Sequence, residues 1–354
     1  MPVPALPAAE VVVSLYLIGD AGDPDPQGDP VLQALTRDLG ARSSRGVVVF
    51  LGDNIYPRGL PAPGEPDRQE AERRLLAQIQ AVRAGNAIGY FVPGNHDWAR
   101  FGKDGWASIK RQKTFVDSAG GRATTLLPGA GCPGPSLVEL GRLRLILLDT
   151  QWWLQHGPKP RDPSSDCPAD AEAEVVDSLR SALVVSPDRI VVVAAHHPLA
   201  SGGEHGGHFG LEDHLFPLRK LASWLWLPLP WLGSLYPAAR QQGVSSQDIA
   251  SRAYQRLVHA FSEAFAASPP ALYAAGHEHN MQVIAGGPAR LELVSGTGYY
   301  GHSGRAVPIE GTLFAHRGSG FARLDVPRRG HARLAIIEVD RSGQSHEAYS
   351  TWVE

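Results

Sequence analysis

The chain has 354 residues, room for two average domains or for one large α/β sandwich. Hydrophobic residues make up 43% and charged residues 19%, which excludes the charge-rich, core-poor composition of a disordered chain. A formal net charge of -3, with no basic run interleaved with aromatics, excludes nucleic acid as a dedicated partner.

The first segment, MPVPALPAAEVVVSLYLIGD, has no basic leader, and its apolar run Val11 to Ile18 ends at Gly19-Asp20. It reads as a first strand and not as a cleaved signal. Helical periodicity over Val31 to Arg42 is followed by a strand over Val47 to Leu51, a helix over Arg68 to Ala84 and a strand over Tyr90 to Val92. Strands are then predicted at Leu143 to Leu148, Ile190 to Ala195 and Leu272 to Ala275, separated by helices at Ala171 to Val185 and Gln247 to Ala267. This alternation predicts α/β layering. Past Asn280, runs at Met281 to Ile284, Leu291 to Ser295, Phe321 to Val326, Leu334 to Val339 and Glu347 to Val353 predict a strand-rich, antiparallel part over 281–354. Cys132 and Cys167 lack the close spacing of a zinc site and leave a single disulfide open.

Five of the predicted strands stop at metal-binding or proton-transferring residues: Gly19-Asp20, Gly52-Asp53-Asn54, Gly94-Asn95-His96-Asp97, His196-His197-Pro198 and Gly276-His277-Glu278-His279. Polar groups at the carboxyl ends of strands converge on one crevice. One Gly-Asp pair alone is more often a turn or a helix cap, but the ordered repetition points to a shared site.

In order, GDAG, GDNIY, GNHD, AHHP followed by SGGEHG, and GHEHN resemble the calcineurin-like metallophosphoesterase superfamily, and within it the purple acid phosphatase (tartrate-resistant acid phosphatase-like) group. Most members of the superfamily open with D-x-H. This chain has Asp20-Ala21-Gly22 and supplies Tyr56 three residues after Asp53, the exchange that marks the purple subgroup. The resemblance implies an α/β fold, an αββα sandwich of two mixed β-sheets flanked by helices, as a single domain over 1–354. It further implies two metal ions, with Asp20, Tyr56 and His279 on one, Asn95, His196 and His277 on the other, and Asp53 bridging both. His196, not His197, aligns with the family ligand. A phenolate from Tyr56 is a hard donor suited to Fe(3+), and an amide with two imidazoles suits a divalent Fe, Zn or Mn.

By the same resemblance His96 and His205 face the substrate, and Asp97 orients or charge-supports His96. The implied activity is hydrolysis of phosphate monoesters by metal-bound hydroxide, with a small phosphorylated substrate. A phosphodiesterase or nucleotide hydrolase on the same site, and a non-catalytic relative that binds a membrane or a partner, stand as alternatives. Asp149, in LLDTQWW, reads as a structural hydrogen bonder. Trp98, Trp106, Trp152, Trp153 and His208 are candidates for the pocket wall, although residues of these types more often serve packing or surface.

Residues 202–246 read as an insert, with an aromatic run LASWLWLPLPWLGSLY at 221–236. Its 16 residues and two prolines are too short and too broken to span a bilayer. The expected role is a lid whose tryptophans pack on the sandwich or on a second subunit, the alternative being a peripheral lipid contact. Localisation and oligomeric state stay open.

Overall fold

The computed structural model describes residues 3–100, 102–161, 165–220 and 224–354, with only the backbone of residue 220. In chain order the strands are β1 (Val11–Ile18), β2 (Arg45–Phe50), β3 (Ile88–Phe91), β4 (Thr124–Leu126), β5 (Ser136–Leu140), β6 (Leu143–Leu147), β7 (Ile190–Ala194), β8 (Leu272–Ala275), β9 (Met281–Ala285), β10 (Leu291–Ser295), β11 (Thr312–His316), β12 (Gly320–Pro327), β13 (Ala332–Val339) and β14 (Ser345–Val353). The helices are α1 (Pro30–Gly40), α2 (Arg68–Ala84), α3 (Gly105–Gly120), α4 (Gln151–Leu154), α5 (Glu172–Leu183), α6 (Leu211–Leu215), α7 (Leu235–Gln241) and α8 (Arg252–Phe265).

Two seven-stranded mixed sheets result, in the orders β14-β13-β12-β1-β2-β3-β4 and β11-β9-β10-β8-β7-β6-β5. Alternation along the strands sorts side chains into three apolar layers. Val13, Leu15 and Leu17 of β1 meet Leu145, Val192 and Leu293 between the sheets. On the outer face of the first sheet Tyr16, Val48 and Phe50 pack under Leu35, Leu75 and Ile109 of α1, α2 and α3. On the outer face of the second, Ile146, Val193 and Tyr273 pack under Leu179 and Phe261 of α5 and α8. This is the expected αββα sandwich.

Among the elements that the sequence pattern did not announce, α3 has a physical explanation. Its buried stripe is Gly105, Ser108, Ile109, Gln112, Val116 and Gly120, correctly spaced for a helix but with four of the six polar or glycine. The strand β4 is three residues long, and β11, on a sheet edge, buries no residue, so neither writes an apolar run.

The insert differs from expectation. Residues 221–223 of the predicted 221–236 run lie outside the described residues. Trp224, Trp226 and Trp231 are 75%, 54% and 90% exposed, so of the two expected contacts, sandwich or second subunit, they do not make the first. Pro228 and Pro230 interrupt this stretch, which forms only a short 3-10 turn before α7 and offers no continuous face to bury. No helix among the described residues is long and apolar enough to cross a membrane.

Cys132 and Cys167 are paired, with their Cα atoms 5.5 Å apart and 35 residues of sequence separation. The bond ties the segment after β4 to the start of α5. Replacing both cysteines by serine should lower the unfolding free energy by about 3–4 kcal/mol, the loop-closure contribution for a loop of this length. Urea denaturation of the double variant checks this, and a midpoint equal to that of the parent chain would contradict it.

Candidate metal centre

The strand register gathers the site. β1, β2 and β3 run parallel with Ile18, Phe50 and Phe91 in one row, so Asp20, Asp53 and Asn95 leave the same edge. In the second sheet β7 and β8 run parallel with Ala194 against Ala274, which brings His196 beside His277 and His279. The two edges touch at Gly19: its N–H donates to the Ser295 carbonyl at 2.7 Å, and a Cβ there would lie 2.8 Å from the Gly276 Cα. Only a residue without a side chain allows this approach.

Three of the expected ligands hold left-handed backbone, with φ of 57° at Asp20, 51° at Asp53 and 69° at His277. For a residue with a Cβ this costs about 1–2 kcal/mol each, and such strain concentrates at functional sites.

At one pole Tyr56 donates its hydroxyl to Asp20 Oδ1 at 2.9 Å and lies 3.3 Å from His279 Nε2, which is 3.5 Å from the same Asp20 oxygen. At the other, Asn95 Oδ1 sits 3.0 Å from His196 Nε2 and 3.1 Å from His277 Nδ1. Between them lies Asp53, with Oδ1 3.5 Å from His196 Nε2. Asp20, Asp53, Asn95, His196 and His277 are all buried.

The far nitrogens settle the tautomers. His196 Nδ1 faces the Leu51 carbonyl at 2.8 Å, and His277 Nε2 faces the Gln247 carbonyl at 2.9 Å. A carbonyl can only accept, so these nitrogens carry the protons, and in the neutral rings the near nitrogens turn lone pairs toward the Asn95 oxygen. Lone pairs facing an oxygen at 3 Å call for a positive charge between them. Burial disfavours charge on His196, but Asp53 beside it reverses this and lifts its pKa to about 9, a proton there standing in for a cation. Burial and three neighbouring imidazoles hold His277 well below its usual value. This donor set fits metal ions.

His196 forms one compact donor group with Asp20 and Asp53, and another with His197 and His277. In the second group His197 is already engaged at both ring nitrogens, by Thr150 Oγ1 at 2.8 Å and Gln247 Oε1 at 3.0 Å. Burial, then Asp20 and Asp53, push the Tyr56 phenol well above its ordinary 10. Without a strong cation it stays protonated.

His96 donates its backbone N–H to Asp53 Oδ1 at 2.8 Å, and its Nδ1 faces the Pro57 carbonyl at 2.7 Å. Its Nε2 is thereby left toward the site, 3.8 Å from Asp53 Oδ2. The expected support of this ring by Asp97 is not what the described residues show. The Asp97 carboxylate accepts from the Gly94 and Asn54 N–H groups, the Asn54 amide and Gln112, and so pins the loop that carries Asp53. Burial, then Asp53, raise its pKa to about 7. His205 stacks on His277 with ring centroids 4.0 Å apart. Its Nδ1 meets Asp248 at 3.0 Å, and Arg240 grips that carboxylate through Nε and Nη2 at 2.5 Å each.

Sequence reasoning missed Asp248, Arg240 and His302. His302 Nε2 lies 3.0 Å from His279 Nε2, and the only sequence signal for it is one more Gly-His pair, at Gly301. Of the candidate wall residues, Trp98 is buried on Asp149, and Trp152 and Trp153 are buried in the layer under α8. They support the site from behind. Trp106 is bound to the Ala130 carbonyl at 2.8 Å.

A family model described as calcineurin-like phosphoesterase matches residues 13–226. Two curated relatives from Arabidopsis thaliana are similar: Purple acid phosphatase 3, 24% identical over 214 residues, and Purple acid phosphatase 17, 23% identical over 217 residues. Each alignment takes in 59% of this chain, and 54% and 58% of the relatives, so the chain spans little more than half their length. Among solved structures, GAP50, the anchor in the inner membrane complex of Plasmodium, superposes with a TM-score of 0.60 at 13% identity, covering 98% of this chain and 89% of its own. The purple acid phosphatase PPD1 of yellow lupin, Lupinus luteus, gives 0.51 at 12%, covering 98% and 54%. These likenesses concern the fold.

Asp149 accepts from Trp98 Nε1 at 2.9 Å and from the Trp152 N–H, and burial lifts its carboxyl to about 8. A folded value above the ordinary 3.8 means that its proton stabilises the fold fully below about 3.8, a contribution lost as pH rises through about 8. Asp149→Asn should therefore fall less in stability than the parent chain across that window, whatever its offset. Melting temperature against pH checks this, and parallel curves would show that Asp149 is charged in the folded chain.

Proposed function

Because the chain belongs to the calcineurin-like phosphoesterase family, we propose that it is a dinuclear metal-dependent phosphoesterase acting on small phosphate monoesters, with purple acid phosphatase-like chemistry. The observation that carries this is the Asn95 oxygen faced by one nitrogen from each of two imidazoles whose other nitrogens face backbone carbonyls. We assign Asp20, Tyr56 and His279 to one ion, Asn95, His196 and His277 to the other, and Asp53 to both. His197, saturated by Thr150 and Gln247, holds the wall behind them. The inter-sheet core shared by strands of both sheets supports reading the chain as one domain.

When bound, the two ions supply Lewis-acid charge at the phosphoryl group and a nucleophile from water. Ionising a phenol that its surroundings push above 10 requires a highly charged neighbour, which supports Fe(3+) at the Tyr56 pole and a divalent Fe, Zn or Mn at the other.

The chain's own groups do the rest. His96, anchored through Nδ1 on Pro57, leaves Nε2 toward the site, where as the imidazolium it would give a proton to a leaving oxygen. Asp248 and Arg240 hold His205 against His277. Glu278 accepts from Ser201 Oγ at 2.9 Å and Gly206 N at 3.0 Å, which keeps the His205 loop closed on the site. Asp97 acts by placing Asp53.

His96→Ala should lower kcat toward an aryl phosphate by about 10²- to 10⁴-fold, the usual contribution of a positioned acid, with metal content unchanged. Metal analysis, visible absorption and parallel assays on the monoester and its diester test the reading. A colourless zinc-only protein would remove the iron assignment, and metal-loaded protein inert toward both esters would remove the hydrolase. A rate on the diester exceeding that on the monoester would reverse the substrate class.

A further inference from the structure

His302 stands apart from every position that the family-like blocks predict. It lies between β10 and β11, in a loop held on both sides. Tyr300 N donates to Asp29 Oδ2 at 3.0 Å, Gly301 N to Ser319 Oγ at 3.2 Å, and Gly304 N to the His279 carbonyl. The ring of His302 stacks on Tyr299, with centroids 4.8 Å apart and planes 14° from parallel, and its other neighbours are Tyr56 at 5.5 Å and His279 at 3.7 Å. Backbone and ring are thus both fixed, with Nε2 directed at the Tyr56 pole.

There it lies 3.0 Å from His279 Nε2. Two imidazole nitrogens at that distance are either donor and acceptor of one hydrogen bond or two donors to one cation. The first arrangement is incompatible with the metal reading, on which this inference rests. A ligating Nε2 of His279 has no lone pair left to accept with and no proton to give. The 3.0 Å between His302 Nε2 and His279 Nε2 matches the edge of about 3 Å between neighbouring ligands of an ion bound at about 2.1 Å, and Asp20 Oδ1 and Tyr56 Oη lie 3.5 and 3.3 Å from the same His279 nitrogen. We propose that His302 is a further protein ligand of the ion at the Asp20/Tyr56/His279 pole, giving that pole a second imidazole.

Metal retention and cobalt spectra test it. Wild-type chain, His302→Ala and His302→Phe, the last keeping a ring on Tyr299 without a donor nitrogen, are loaded with Co(2+) or Zn(2+) and dialysed against a graded chelator. Wild type should retain two ions per chain. Both variants should release one of them at chelator concentrations lower by about tenfold or more, and their Co(2+) absorption bands should shift. Added imidazole should restore retention in His302→Ala, whose cavity admits it, and not in His302→Phe. Metal-free melting curves matching wild type show that folding is intact. Variants with wild-type retention and spectra overturn the proposal, including the case where only KM for an aryl phosphate rises, which would place His302 on the substrate. A wild-type chain that binds no metal overturns the dinuclear reading and this inference together.

Discussion

Two buried carboxylates, Asp20 and Asp53, stand where the edges of the two sheets meet, and the ion pairs that the described residues make with them come from histidines. Charged groups in such a place are costly unless paired and hydrogen-bonded. The surroundings are built around this constraint. The N–H of His277 donates to Asp20 and that of His96 to Asp53, and imidazoles complete the shell. Burial alone would push the Asp53 carboxyl up, yet His196 and His96 hold it well below its usual range.

Holding these groups in place requires unfavourable backbone at Asp20, Asp53 and His277, and the rest of the sandwich supplies the rigidity that maintains it. The parallel rows of β1, β2 and β3 set the height of one half of the site, and β7 and β8 set the other. The contact of Gly19 with Gly276 sets their separation: a Cβ on Gly276 would come within 2.5 Å of Asp20 Oδ2. The shared core of Leu15, Leu17, Val192 and Leu293 then resists any relative movement, because close-packed interiors accommodate little displacement.

Groups outside the expected ligand set determine how the donors point. Leu51 and Gln247 fix the tautomers of His196 and His277 through carbonyl oxygens. Asp97, drawn by four hydrogen-bond donors, anchors the Asp53 loop and stays away from the His96 ring. Arg240, at the end of α7, reaches from the exposed insert to Asp248 and so to His205. The insert thus touches His205 through charged groups, while its tryptophans are exposed.

The sequence by itself determined the layered α/β fold and the site's location. Apolar runs mark β1, β8 and β10 to the residue, and polar residues directly after glycines mark the strand ends, because both signals lie within a few neighbours on the chain. Tertiary structure alone decided which donors turn inward. His196 and His197 are adjacent and chemically identical, and only the family resemblance separated them in sequence; in the fold His196 faces Asn95 and Leu51, while Thr150 and Gln247 engage His197. The partners of Asp97, Asp248, Arg240 and His302 are hidden from the sequence for the same reason. A side chain's direction is set by partners across the fold, 257 residues away for the His277 N–H that holds Asp20, and spacing along the chain carries no record of them.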